Sequence, residues 1–184
     1  MMRPTVIVAL MVLAGCGDST LPPPPPCDEV CQDSIAVRGV RQMLKLVFNL
    51  TLQGKPVGEH DATISCPLGG SAHIYGTATS NPVQGATEVS LTYVFDQCAH
   101  LEQDEEARQN YALTLTGTFT QQGTLAVQPS ATTALLMKGT SVTVSGTVHA
   151  PAIDYRAEGC AADLAQNGNR VSGVFCTRPV GVDL

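Results

Sequence analysis

The sequence predicts a mainly β protein: a curved antiparallel meander, an open sheet or partial barrel of about eight or nine strands, with one N-terminal helix packed on it. Three observations predict it. From Gly58 onward, apolar and polar residues alternate with the two-residue period of half-buried strands. Before that, Val30, Val37, Val40, Leu44 and Val47 recur at helical spacing. The composition is strand-like too, with 19 threonines among 184 residues and only 14% charged residues. A formal net charge of −6 offers no basic surface to nucleic acid. No apolar run approaches the roughly 20 residues of a membrane-spanning helix.

The chain opens with Arg3 and then nine apolar residues, Val6 to Ala14. A charged start and an apolar stretch of this length read as a signal peptide over residues 1–15. Leu13-Ala14-Gly15-Cys16 follows at once. This segment resembles the lipobox of bacterial lipoproteins. The resemblance implies cleavage before Cys16 and acylation of its thiol. It also implies a cell-envelope location, with palmitate-type chains holding the protein to a bilayer. Two or more chains hold stably where one is marginal, each buried CH₂ contributing about 0.8 kcal/mol. Gly17, rather than Asp, follows the cysteine, and the family rule then favours the outer membrane over the inner. Residues 16–26 form a tether. Its five prolines, Pro22 to Pro26, are expected as a polyproline II spacer of about 15 Å.

Residues 27–184 are expected to form one β-rich domain. Its helix is placed at about 28–49, with Asp28 and Glu29 at the positive end of the dipole and Gly39 as a weak point. Arg38, Arg41 and Lys45 are assigned to the polar side. Gln53-Gly54-Lys55-Pro56 ends it. Strands are expected near 61–66, 71–79, 87–96, 110–120, 123–128, 132–138, 141–149, 152–163 and 169–176. Val89, Leu91, Tyr93 and Phe95 share one face of the third. Glycine recurs in mid-strand at Gly76, Gly117, Gly146 and Gly173. Such glycines mark either sheet bends or a smooth groove for the helix or a ligand.

With Cys16 committed to lipid, six cysteines remain, an even number suited to an oxidising compartment. Asn167-Gly168-Asn169 reads as a three-residue hairpin loop pairing Gln166 with Arg170. Counting outward brings Cys160 opposite Cys176, within reach of a disulfide. A longer hairpin centred near 82–83 puts Cys66 and Cys98 at one end, with register softened by Gly69-Gly70. Cys27 and Cys31 are left, and they could pair across the first helical turn. Zinc there would need two further ligands, and none is evident in the sequence. The stretch Cys66-Pro67-Leu68-Gly69-Gly70, a glycine-bearing strand and then Tyr93-Val94-Phe95-Asp96-Gln97-Cys98 resembles uncharacterised lipoproteins of myxobacteria. That resemblance implies fold kinship and no chemistry.

Chemical motifs are sparse. The chain has no Gly-x-Ser-x-Gly elbow and no phosphate-cradling Gly-rich loop ending in Lys-Ser/Thr. Cys98-Ala99-His100 puts a thiol near an imidazole, but Cys98 is already paired. A metal cluster of His60, His73 and His149 is the sharp alternative to scattered surface histidines. The acidic stretch Glu102-Gln103-Asp104-Glu105-Glu106 lacks the alternating pattern of a calcium loop and reads as solvated. No catalytic residue, metal or cofactor is assigned. The expectation is a membrane-anchored envelope lipoprotein with a structural or binding role and no enzymatic activity. Its partners would be the bilayer through Cys16 and an envelope protein or small apolar ligand. The alternative is a carrier of a lipid or small ligand, with a cavity between sheet and helix; a hydrolase ranks last.

Overall fold

The computed structural model describes residues 26–55, 57–81, 86–103, 108–126 and 133–184. The expected signal peptide, the lipobox-like segment with Cys16 and Pro22 to Pro25 lie outside these residues. So do the expected loop at 82–85 and residues 104–106 of the acidic stretch.

One helix, α1 (Glu29–Thr51), precedes eight strands: β1 (Gly58–Ser65), β2 (Ser71–Asn81), β3 (Ala86–Glu102), β4 (Tyr111–Ala126), β5 (Ala134–Val148), β6 (Ile153–Asn167), β7 (Arg170–Phe175) and β8 (Arg178–Asp183). They form one antiparallel sheet in strict sequence order, β1 through β8. The sheet stays open. Its edge strands β1 and β8 both touch α1, so the sheet curves around the helix as a trough.

Local chemistry explains the helix. Asp28 is its N-cap, in extended backbone, and its carboxylate accepts from the Cys31 N–H at 2.9 Å. Burial on α1 is broader than one stripe: Ile35, Ala36, Val37, Val40, Met43, Leu44 and Val47 are all covered. Val30, expected on the apolar face, is 53% exposed. Gly39 is a point of close approach. A β-carbon there would lie 2.7 Å from Leu113 Cδ1, so the helix backbone presses directly on β4.

The strand pattern holds with three corrections. The expected strands at 110–120 and 123–128 form one strand, β4, because Gln121 points inward and is buried instead of turning the chain. Those expected at 132–138 and 141–149 also merge, into β5; the interruption near Gly139 is a bulge. Irregularities at Phe95/Cys98, Thr116/Phe119 and Gly139/Val142 fall side by side on β3, β4 and β5. They mark one line along which three strands bend together. The hydroxyls of Thr116 and Thr143 accept the N–H groups of Gln97 and Gly159 along this line, each at 3.3 Å. Third, β8 has no counterpart in the expected set. It is reached through Cys176-Thr177, both at positive φ (49° and 68°), where the sequence carries none of the usual Asn-Gly turn signal.

The mid-strand glycines follow the bending reading. A β-carbon on Gly146 (φ 141°) would lie 2.0 Å from the Ala112 carbonyl oxygen, and one on Gly76 (φ 131°) 2.2 Å from that of Ser90. Glycine therefore permits tight coiling on the inner face. Opposite these gaps stand large side chains: Leu91 faces Gly76, while Leu113 and Tyr155 flank Gly146.

Three disulfides join the expected partners: Cys27–Cys31, Cys66–Cys98 and Cys160–Cys176. Their registers differ from the counting argument. Asn167 pairs with Arg170, so the β6–β7 loop is Gly168-Asn169, two residues long, and Cys160 meets Cys176 on a diagonal. Cys66, expected at the end of the strand near 61–66, lies just past β1 in the β1–β2 turn. That turn docks on β3 through Ala99 N–H to the Gly69 carbonyl at 2.9 Å, and the disulfide seals the contact.

Candidate functional site

Ile74, Leu91, Tyr93, Phe95, Leu113, Leu115 and Phe119 meet Val37, Val40, Met43 and Leu44 of α1 in a continuous core. The middle of the trough is thus filled by side chains. Space opens at its end, beside the C-terminal half of α1. A cleft of about 260 Å³ lies there between Arg41, Lys45 and Phe48 of the helix and the strand ends at Thr87, Leu125 and Gln166, with Leu184 on its rim. That volume falls just below the roughly 300–1,000 Å³ of drug-sized ligand sites.

Arg41 dominates the cleft's electrostatics. It was assigned to the polar side of the helix, but it is only 4% exposed. The stripe itself explains the correction: 37, 40, 41 and 44 are one face at helical spacing, so Arg41 sits within the apolar row. Its Nε donates to Gln166 Oε1, and Gln166 Nε2 donates to the Gly168 carbonyl at 2.7 Å. Its Nη1 is buried with no hydrogen-bond partner among the described residues. Burial lowers the Arg41 pKa to about 10, with nearby Tyr93 opposing that shift. Burial in turn pushes the Tyr93 phenol upward, so it stays protonated and donates to Gln121 Oε1 at 2.6 Å. No carboxylate side chain is among the residues lining the cleft, although Leu184 brings a main-chain carboxylate to its rim. The arrangement is a cation held in an apolar wall, with amide groups fixing its near edge.

A second polar cluster lies toward the helix start. The Asp33 carboxylate is fully buried and accepts from Tyr155 O–H at 2.7 Å and from Arg178 Nε and Nη2 at 2.5 and 2.9 Å. Arg178 also reaches Glu29 at 3.3 Å. This cluster clamps α1 to β6 and to the edge strand β8, and it reads as structural.

The histidines considered as a metal cluster do not converge. His73 pairs with Asp61 at 2.9 Å on the outer face, and His60 lies by the β1 edge near Leu52 and Lys55. His149 instead stands beside Cys27 and Cys31; one ligand atom from each of the three lies within 4.8 Å of the others. His100, beside the paired Cys98, packs edge-on against Tyr111, with ring centroids 5.9 Å apart. Of the acidic stretch, Glu102 accepts from Tyr111 O–H at 2.7 Å. Sequence reasoning missed Asp33, Gln121 and Gln166. Gln121 was detectable, because it continues the inward series of Leu115 and Phe119. Asp33 and Gln166 carry no comparable signal, since their partners lie 145 and 125 residues away. Compared with protein-family models, with curated proteins and with solved structures, the chain finds no match.

Proposed function

We propose that this chain is a lipid-anchored envelope protein that binds a small amphipathic anion, and that it is a carrier or sensor rather than an enzyme. The observation that carries the reading is Arg41. A guanidinium buried in an apolar wall, one nitrogen unpartnered among the described residues, is an incomplete ion pair. A buried charge is costly until a counter-charge meets it. A carboxylate head beside Arg41 and Lys45 would supply that charge, while Phe48, Leu125 and Leu184 cover a short apolar tail. The modest volume favours a short-chain ligand over a full phospholipid.

The anchor supports the same picture. The lipobox at Leu13-Ala14-Gly15-Cys16 would place the bilayer at Cys16, with the proline spacer between it and the start of α1. The cleft lies near Asn49, about 30 Å along the helix axis from Glu29 at 1.5 Å per residue. An acylated chain would therefore hold the cleft away from its own membrane, facing solutes of the envelope space. Globomycin treatment of expressing cells should make the precursor accumulate, and normal processing would remove the anchor from the proposal.

The binding test compares decanoate with decanol by titration calorimetry on wild type and R41M. Wild type should prefer the carboxylate by at least about tenfold, the 1.4 kcal/mol of one modest charged contact. R41M should lose that preference without losing stability, because methionine fills the volume and removes the desolvated charge. Equal affinity of wild type for both ligands, or no binding of either, would overturn the reading. So would a destabilised R41M, which would make Arg41 a structural residue.

A further inference from the structure

At the opposite end of α1 a different chemistry assembles. Cys27 and Cys31 bracket the N-cap Asp28, and His149 arrives from the β5–β6 connection. One ligand atom from each of the three lies within 4.8 Å of the others. Two sulfurs and an imidazole at that separation are a small adjustment away from a Cys₂His metal site, a soft donor set that suits Zn²⁺ or Cu⁺. A cavity of about 160 Å³ adjoins the cluster, lined by Cys31, Arg108, Gln109, His149 and Val182. It leaves room for a fourth, exchangeable ligand.

The present state is a disulfide, so the site must be opened by reduction. Three features make this pair the one suited to that chemistry. Both cysteines are partly exposed, as are Cys160 and Cys176, whereas Cys66 and Cys98 are buried. The ring between Cys27 and Cys31 is the shortest of the three, so its loop-closure contribution is the smallest. The sequence separation is 4 residues, against 16 for Cys160–Cys176 and 32 for Cys66–Cys98. The fold therefore depends on it least. Cys31 also lies in the first turn of a helix, where the dipole favours a thiolate, and lines the same cavity as Arg108.

We propose that Cys27, Cys31 and His149 form a redox-gated site for one thiophilic metal ion, closed as a disulfide and opened by a dithiol reductant. The reductant supplies two electrons and two protons. The Cys27–Cys31 S–S bond breaks, two thiols form, and the reductant leaves as its own disulfide. The metal then displaces both thiol protons to solvent and binds two thiolates and the neutral imidazole.

The test uses the full chain in detergent, briefly treated with dithiothreitol and desalted without oxygen. Alkylation mapping on the same sample confirms that Cys66–Cys98 is intact. Co²⁺ is the probe, read by thiolate-to-metal charge-transfer absorption and displaced by Zn²⁺. Reduced wild type should take up one ion per chain, and the oxidised protein none. C27S/C31S, which lacks only the least fold-critical bridge, should take up none under the same reduction. H149N retains a residue that tolerates the positive φ of this position (72°) and should bind at least about tenfold more weakly. The proposal is overturned if reduced wild type binds no ion, if uptake survives in C27S/C31S, or if a folded H149N binds as tightly as wild type.

Discussion

Replacing Arg178 with methionine isolates the clamp between α1 and the sheet edge. Asp33 is fully buried, and two of its three hydrogen bonds come from Arg178, at 2.5 and 2.9 Å. Without them, the carboxylate keeps only Tyr155, at 2.7 Å. Breaking a buried ion pair from one side costs about 3–5 kcal/mol. The Arg178 side chain is 41% exposed, so water can partly replace it and the lower part of that range applies. The expected loss is about 2–4 kcal/mol, or roughly 4–16 °C in Tm at 2–4 °C per kcal/mol. Urea unfolding, followed by far-ultraviolet circular dichroism, measures it, with an unchanged m-value showing that the native and denatured states stay comparable. The double variant D33L/R178M should recover most of the loss, because no charge is then left buried. A loss below about 1 kcal/mol in R178M, or no recovery in the double variant, would refute the clamp as a desolvated ion pair.

Two further expectations concern the sheet. G146A should destabilise the fold by about 3 kcal/mol or more, since its β-carbon would lie 2.0 Å from the backbone oxygen of Ala112 and the residue holds a φ of 141°; thermal melts measure it, and a loss below about 1 kcal/mol would show that the contact does not constrain the sheet. His100 contributes a pH dependence. Burial lowers its pKa, with the Glu102 charge opposing the shift. As pH falls below about 6.5, the unfolded chain binds a proton that the folded chain still refuses, so stability drops until the folded pKa is passed and is level below it. In H100Q, denaturant midpoints measured across this window should fall less steeply with acidification; an unchanged slope would show that His100 carries none of it.

How much of this was legible in advance varies by element. The helix was readable because Asp28 caps it and its valines recur at helical spacing, and both signals are local. The strands from β2 to β7 were readable from alternation alone. Their interruptions were not: Gln121-Gln122 looks like a turn until Tyr93 is seen bonding to Gln121 across the sheet. The edge strand β8 escaped because Cys176-Thr177 turns the chain with residues that seldom accept positive φ. Two of the disulfide pairs followed from hairpin counting, yet both registers were displaced: the β6–β7 loop is one residue shorter than counted, and Cys66 lies outside the β2–β3 hairpin in the preceding turn.

The candidate site divides along the same line. Spacing by itself put Arg41 among Val37, Val40 and Leu44, and that periodicity already held the information that its charge is buried. The sequence by itself also determined the lipobox pattern, the even set of six cysteines and the two-residue rhythm of the sheet. Each of these is written in neighbours a few positions apart, where backbone geometry is enough to read it. Tertiary structure alone decided that Gln166 meets Arg41, that Arg178 neutralises Asp33 and that His149 stands beside Cys27 and Cys31. These pairs are separated by more than a hundred residues. What unites them is the curvature of an eight-stranded sheet around one helix, a long-range property that no local pattern encodes.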